Sequence, residues 1–214
     1  MKPIVYMLLG VTMVGMFSCS NHKAGTTEQS ELPYATYENE LFSINFPKDW
    51  VCDSSGWKGL DSLQNEVDIF DPDCDILYFH IVKTLMPFKW KNIDEAKQGA
   101  MVAHALHDPD SDLISEIDSV EVGGYPTSIL FFANYLDNDT IIQKQFVTYL
   151  QDSHIVVYFN EVFHVWNWDE AQELGDAVIA TIKLKKVENP LENDSLLRNV
   201  LKQLGGQQGK KENE

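Results

Sequence analysis

Two histidines one helical turn apart have the spacing of a metal site. His104 and His107 are followed by Asp108, Asp110 and Asp112, and imidazole nitrogens and carboxylate oxygens are ligands that zinc accepts. A polar helix end with imidazoles facing solvent would give the same pattern. His104 and His107 are therefore weak candidates only, and we predict no metal and no cofactor.

A second carboxylate pattern resembles the start of a calcium loop. Asp71, Asp73 and Asp75 stand at alternate positions. A helix-loop-helix calcium loop also needs glycine at its sixth place and a carboxylate at its twelfth, where this chain has Ile76 and Val82. The pattern therefore favours a tight acidic turn.

Two tryptophans stand where a predicted strand passes into a predicted helix. Trp166 and Trp168 lie in a segment that begins with His164. Aromatic side chains at such a corner can seal the edge of the core, or they can form the wall of a ligand groove with His154 or His164. We keep both interpretations, with these four residues as the candidate ligand-binding set.

The common catalytic motifs are absent from the sequence. It contains no Gly-x-Ser-x-Gly elbow, no phosphate-binding glycine loop and no His-Glu-x-x-His motif. Carboxylates are abundant, but the sequence alone cannot pair two of them across a cleft. We predict no catalytic residue, and the alternative is a hydrolase that uses acidic residues or a His/Asp metal site.

Three consecutive segments predict an antiparallel meander that positions these candidates. Thr127–Tyr135, Ile141–Leu150 and Ile155–Phe163 are rich in β-branched and aromatic residues and are separated by polar turns. The first segment is apolar on both of its faces, so we expect both faces of the sheet to be covered.

Further elements are predicted on either side of the meander. Helices are expected from Asn92 to about His107 and after Asn167, each with a capping box completed by a glutamate three residues later. Additional strands are predicted at Tyr34–Glu40, Phe42–Phe46, Val67–Phe70, Ile76–Lys83 and Asp112–Val122. The pattern indicates an α+β fold with an antiparallel sheet flanked by helices.

Several short motifs occur in the order seen in one known superfamily. F-S-I-N-F-P-K-D-W at Phe42–Trp50, V-G-G-Y-P at Val122–Pro126 and a final helix after a tryptophan resemble the PsbP, DcrB and Ran-binding Mog superfamily. The resemblance extends from Phe42 to about Lys186. It implies an α/β/α sandwich with a single antiparallel sheet, in proteins that mostly bind or assemble rather than catalyse.

The N-terminus resembles a bacterial lipoprotein signal. Residues 1–18 combine one lysine with an uncharged apolar run too short to span a membrane. Ser18 precedes Cys19 as in a lipobox, although Phe17 is larger than the usual residue. We predict lipidation of Cys19, a tether over residues 19–33 and a single domain over residues 34–187. Ser20 favours the outer membrane, with the domain facing the periplasm.

Two further cysteines remain for the exported domain. Cys52 and Cys74 are expected to form a disulfide, which would stabilise the fold by roughly 3 to 4 kcal/mol on the chain-entropy model. Two buried free thiols are the alternative.

Charge limits the possible partners. The formal charge is −17, and cleavage before Cys19 removes one lysine and no acid, which leaves −18. Such a chain repels phosphate backbones, so we exclude nucleic acid as a partner.

The C-terminal part, residues 188–214, contains a short amphipathic pattern followed by a polar tail. Leu197, Val200, Leu201 and Leu204 lie at helical spacing within Ser195–Leu204. This helix would dock on its own domain or on an envelope protein partner. Together the patterns predict a non-catalytic envelope lipoprotein that binds a protein or a small ligand, with a role in envelope assembly or maintenance.

Overall fold

The computed structural model describes residues 34–73, 77–86, 89–136 and 139–190. Within these ranges the chain forms ten β-strands, two α-helices and one 3-10 turn. Their bounds are β1 Tyr34–Glu38, β2 Phe42–Pro47, β3 Val51–Asp53, β4 Gln64–Phe70, β5 Tyr78–Leu85, α1 Ile93–His107, β6 Ser111–Val122, β7 Tyr125–Leu136, β8 Asp139–Leu150, β9 Ile155–His164, the 3-10 turn Val165–Asn167, α2 Trp168–Ile179 and β10 Lys183–Leu184.

The strands form two antiparallel sheets. A seven-stranded sheet has the order β3-β4-β5-β9-β8-β7-β6, and a three-stranded sheet has the order β1-β2-β10. The predicted meander is confirmed as β7, β8 and β9, and the fold is α+β as predicted. The single sheet that the family resemblance implied is wrong in one respect, because the first two strands join β10 in a separate small sheet.

The small sheet is separate because one face of β2 packs onto the large sheet. Phe42, Ile44 and Phe46 alternate with half-buried residues and are themselves buried. The ring of Phe42 contacts Phe159 of β9 edge-on, with 5.9 Å between ring centroids. A strand that buries one face against a sheet lies over it as a second layer, so it cannot pair with the edge of that sheet.

One face of the large sheet is covered and the other is covered in part, whereas the sequence predicted cover on both faces. The small sheet and α2 cover one face, where Phe131, Phe159 and Phe163 lie in the larger core. The helix α1 covers part of the other face, where Ala96 and Ala100 pack with Leu130 and Phe132, among others, in a smaller core. Neither helix in the described part of the chain is long and apolar enough to cross a membrane.

The two predicted capping boxes have different outcomes. The side chain of Asn92 accepts a hydrogen bond from the backbone N–H of Glu95 at 3.1 Å, so the first helix begins as predicted. The prediction for Asn167 is wrong, because its side chain does not cap α2. The 3-10 turn Val165–Asn167 leads directly into this helix, and the N–H of Trp168 already donates to the carbonyl of Val165.

Two glycines in the hairpin between β6 and β7 offer a matched test of packing. Gly123 and Gly124 both have left-handed backbone angles, with φ of +58° and +83°. A Cβ atom on Gly123 would lie 2.7 Å from the backbone nitrogen of Leu184, whereas one on Gly124 would meet no atom within 4 Å. The small sheet therefore passes directly over Gly123.

We expect Gly124→Ala to lower the free energy of unfolding by about 1 kcal/mol, the cost of a left-handed alanine. Gly123→Ala carries the same backbone cost and also pushes β10 away from the hairpin, so its expected cost is about 2 to 4 kcal/mol. Urea denaturation of both variants measures the difference. Equal destabilisation of the two variants would show that the close approach of Leu184 to Gly123 adds nothing to the cost of the alanine side chain.

Candidate functional site

One end of the large sheet carries a group of exposed apolar side chains. The last residues of β7 and β9 meet the start of β8 there, with Leu136 opposite Asp139 and Ile141 opposite His164. Five exposed residues surround this point, and we refer to them as the apolar end: Tyr135, Leu136, Val165, Trp166 and Trp168.

A contact between His164 and Asp139 lies at the centre of the apolar end. The Nδ1 atom of His164 lies 2.5 Å from Oδ2 of Asp139. The imidazole ring stacks on the indole of Trp166, with 5.4 Å between centroids and 24° between planes. Trp166 is 63% exposed, so His164 supports one face of the indole while much of the side chain remains open to solvent.

Trp168 lies closer to the core. Its ring stacks on Phe131 at 6.1 Å and meets Phe163 edge-on at 5.6 Å, and it is 36% exposed. Trp168 therefore packs against the edge of the core, as one of the two interpretations of the sequence expected, whereas Trp166 extends into solvent.

The structure does not bring His154 into this group. His154 lies in the turn before β9, at the opposite end of the strand, with a left-handed φ of 59°. Its carbonyl oxygen accepts a hydrogen bond from the N–H of Met86 at 2.8 Å. Ten residues of extended strand separate it from His164, which is roughly 30 Å. His154 therefore lies outside a site formed by the tryptophans.

The two weak metal candidates face different environments. The ring of His104 stacks on Phe132 and its Nε2 lies 2.6 Å from the hydroxyl of Ser111, while burial lowers the pKa of His104. His107 is exposed. Among the described residues, no three side chains of histidine, cysteine, aspartate or glutamate are grouped so that they could hold a metal ion.

Several predicted residues fall outside the described ranges. Cys52 is half-buried on β3, and burial raises the pKa of its thiol. Its expected disulfide partner Cys74 lies outside the described residues, as do Asp75, the lipidation candidate Cys19 and the segment Ser195–Leu204. The disulfide and the lipid anchor stay predictions.

A cleft of about 310 Å³ lies at the other end of the sheet. Its lining includes Asn92 at the start of α1, Tyr149 at the end of β8, and Lys186. None of the residues that the sequence singled out for binding lines this cleft.

Sequence reasoning missed a buried contact between a lysine and a carboxyl group under α2. The Lys144 ammonium lies 3.3 Å from the Glu161 carboxylate and 2.6 Å from that of Asp176, and Gln172 accepts a hydrogen bond from it at 3.0 Å. Glu161 has no exposed surface, and burial raises its pKa to about 8 although Lys144 opposes the rise. The sequence did contain an indication of this contact, because Lys144 and Glu161 are charged residues in the interior of the apolar strands β8 and β9.

A row of polar side chains on the opposite face of the sheet was also missed. Asp68, His80, Asn160 and Gln145 are cross-strand neighbours on β4, β5, β9 and β8. His80 Nδ1 lies 2.7 Å from Asp68, and Asn160 accepts a hydrogen bond from Gln145 at 2.8 Å. The register of four strands brings these side chains together. No local motif in the sequence indicates that register, so the row could not be predicted.

The apolar end has the properties of a binding surface. It offers an indole that is stacked on one face and open to solvent, next to aliphatic and phenolic side chains. Tryptophan and tyrosine bury large areas with few rotatable bonds, so they are common at the centres of interfaces. The arrangement can bind apolar or aromatic groups.

Comparisons with known proteins give matches in structure only. No family model and no curated protein matches the chain. The solution structure of cyanobacterial PsbP (CyanoP) from Synechocystis sp. PCC 6803 superimposes with a TM-score of 0.54 at 14% identity and covers 76% of this chain and 98% of that chain.

Two further solved structures match less closely. LpqN, described as involved in cell envelope biogenesis of Mycobacterium tuberculosis, has a TM-score of 0.45 at 11% identity, covering 73% of this chain and 93% of that chain. The protein PA94 from Pseudomonas aeruginosa, of unknown function, has a TM-score of 0.44 at 10% identity, covering 72% and 99%.

The CyanoP match agrees with the order of motifs between Phe42 and Lys186. In this chain, strands precede the first helix, a long meander follows the Gly123-Gly124 turn and a final helix follows a tryptophan, and the match covers 76% of the chain. The predicted resemblance is therefore confirmed at the level of the fold, and this chain has the PsbP-like fold.

Proposed function

We propose that this chain is a non-catalytic lipoprotein of the bacterial cell envelope whose domain binds a protein partner or a small ligand at the apolar end. The observation that carries the proposal is the exposed indole of Trp166, which His164 and Asp139 hold in a fixed orientation. A role in envelope assembly or maintenance fits a protein of this kind.

The arrangement of the two tryptophans supports binding. Trp166 leaves most of a large apolar side chain in water, although the same segment buries its neighbour Trp168 more deeply. An exposed aromatic group that is already ordered loses little conformational entropy when a partner covers it. An apolar group of this size, next to Tyr135 and Leu136, is typical of an interaction site.

The proposed anchor and location follow from the N-terminal sequence. Cleavage before Cys19 and acylation of its thiol would attach the domain to a membrane, and several acyl chains give a stable anchor. Ser20 after the cysteine favours the outer membrane with the domain in the periplasm. Ser195–Leu204 is a second proposed contact for an envelope protein.

The test is native mass spectrometry on full-length protein gently released from its own envelope. We expect Trp166→Ala to reduce the bound partner or ligand at least tenfold, because a buried tryptophan at an interface contributes about 2 kcal/mol or more. The matched control is Leu106→Ala, which removes a side chain of similar exposure, 64%, from α1.

Three outcomes would each contradict one part of the proposal. Equal occupancy in the Trp166→Ala and Leu106→Ala proteins would exclude the apolar end as the site. A Cys19→Ala protein that stays in the membrane fraction would exclude the lipid anchor. Loss of the partner only when Ser195–Leu204 is deleted would place the contact on the C-terminal segment instead.

A further inference from the structure

We infer that the apolar end docks onto a positively charged protein surface within reach of the anchoring membrane. This inference rests on the proposed function, and it adds the chemistry of the partner and its distance from the membrane. Three features carry it: where the described chain begins, how exposed apolar residues are distributed and how charge is distributed between the two ends of the domain.

The described chain begins at the apolar end. Tyr34 pairs with Pro47, whose carbonyl accepts a hydrogen bond from the N–H of Trp50. The indole of Trp50 packs on Phe79 with 6.1 Å between centroids. Phe79 is opposite Glu161, three residues before the end of β9 at His164. The start of β1 therefore lies at the same end of the domain as His164.

The sequence length between the anchor and Tyr34 limits how far this end can lie from the membrane. Residues 19–33 separate the predicted lipidated cysteine from the described domain. Fifteen residues span at most about 50 Å when fully extended. With the proposed lipid anchor, Tyr34 at the apolar end therefore lies no farther than about 50 Å from the membrane surface.

Exposed apolar residues concentrate at this same end. Tyr34 and Val51, the first residues of β1 and β3, are exposed and extend the group of five toward the edge of the sheet. Val51 is opposite Phe70, which is opposite Tyr78 at the start of β5. Within the described ranges the other large exposed apolar residues are on α1 and β6: Val102, Leu106, Leu113, Ile114 and Ile117.

The charge around the apolar end indicates which charge a partner surface must carry. Acidic residues follow or precede the strand ends at the apolar end, namely Asp71, Asp73, Asp108, Asp110, Asp139, Asp169 and Glu170. One lysine, Lys48 after β2, accompanies these acids. At the opposite end, around the cleft and the Gly123 hairpin, lysines and acids are mixed, and Lys91 and Lys185 pair with Glu95 and Glu38. An apolar centre with a negative border complements a surface with a positive border and is repelled by anionic lipid headgroups.

The experiment uses full-length lipidated protein in its own envelope membranes. A photo-crosslinking side chain is introduced as Val165→benzoylphenylalanine, which leaves Trp166 in place, and as Leu106→benzoylphenylalanine for comparison. We expect position 165 to crosslink to one protein whose crosslinked segment is positively charged. The double variant Asp169→Lys/Glu170→Lys should reduce this product at least tenfold.

The matched control for charge is Glu121→Lys, which makes the same kind of change at an exposed position of the opposite end. We expect it to leave the crosslink unchanged. A crosslink that depends on Trp166 but not on Asp169 and Glu170 would overturn this inference and leave the proposed function intact. No dependence on Trp166 in any assay would overturn the proposed function itself.

A lipid surface is tested separately with vesicles of phosphatidylethanolamine and phosphatidylglycerol. A full-length Cys19→Ala protein is expected to stay in solution when these vesicles are sedimented. Co-sedimentation that Trp166→Ala abolishes would show that lipid, rather than a basic protein, covers the apolar end, and it would overturn the inference.

Discussion

Glu161→Gln is expected to remove the fall in stability that Glu161 causes as pH rises from about 4.5 to 8. The folded state raises the pKa of Glu161 to about 8, because the carboxyl group is fully buried beneath α2. An unfolded chain releases this proton near pH 4.5. Between these values the folded state holds a proton that the unfolded state has lost, so the stability contributed by Glu161 falls as pH rises.

The expected size of this effect is a few kcal/mol, since each unit of pKa difference corresponds to about 1.4 kcal/mol. The amide introduced by Glu161→Gln does not titrate, so the variant should match the wild type at pH 5 and exceed its stability at pH 9. Urea denaturation at pH 5, 7 and 9 measures this, with Glu173→Gln on the exposed side of α2 as control. Parallel pH profiles for wild type and Glu161→Gln would exclude a buried, protonated Glu161.

Lys144→Met is expected to destabilise the domain by about 3 to 5 kcal/mol at pH 9, the usual cost of leaving a buried charge without its partner. Above pH 8 the Glu161 carboxylate is ionised, and Lys144 is the cation beside it. At pH 5 Glu161 is protonated, so the substitution leaves no buried carboxylate without a cation and removes only the other contacts of the Lys144 ammonium, with Asp176, Gln172 and the two phenylalanine rings. The cost should then be clearly smaller.

The control for this variant is Lys183→Met, because Lys183 is exposed on β10. It should change stability by less than about 0.5 kcal/mol at either pH. An equal cost of Lys144→Met at pH 5 and pH 9 would show that the lysine stabilises the domain through packing with Phe131 and Phe146 rather than through the charge of Glu161.

Much of the large sheet could be predicted because its signals are local. The segments that became β7, β8 and β9 are long, apolar and separated by turn residues, so their pairing as neighbours followed from sequence order. Asn92 and Glu95 predicted the start of α1 in the same way, since a capping box lies within four residues. Local signals of this kind identify an element and its boundaries.

Features that depend on distant parts of the chain could not be predicted. The layering of β2 over β9 depends on a contact between Phe42 and Phe159. The contact of Lys144 with Glu161 depends on the register of β8 against β9, and Asp176 reaches Lys144 because α2 packs over these strands. Shifting that register by one residue would place the two charges on opposite faces of the sheet.

The candidate site was predicted in part. Trp166, Trp168 and His164 are close in sequence, so the corner they form was visible in the pattern. Asp139, which positions His164, comes from the start of another strand and was not identified. His154 was grouped with the tryptophans because both flank β9, but a strand of ten residues separates its two ends.

The pairing of β2 with β10 sets the order in which this domain can fold. The small sheet joins strands from the two ends of the domain, and the hydrogen bond between the Asn45 N–H and the Thr181 hydroxyl links residues 136 positions apart. Contacts of such long range form slowly and require nearly the whole chain. While the chain is being synthesised, β2 lacks its β10 partner until about residue 184 has emerged. Under the proposed export, this late pairing would give the chain time to cross a membrane unfolded before its core is closed.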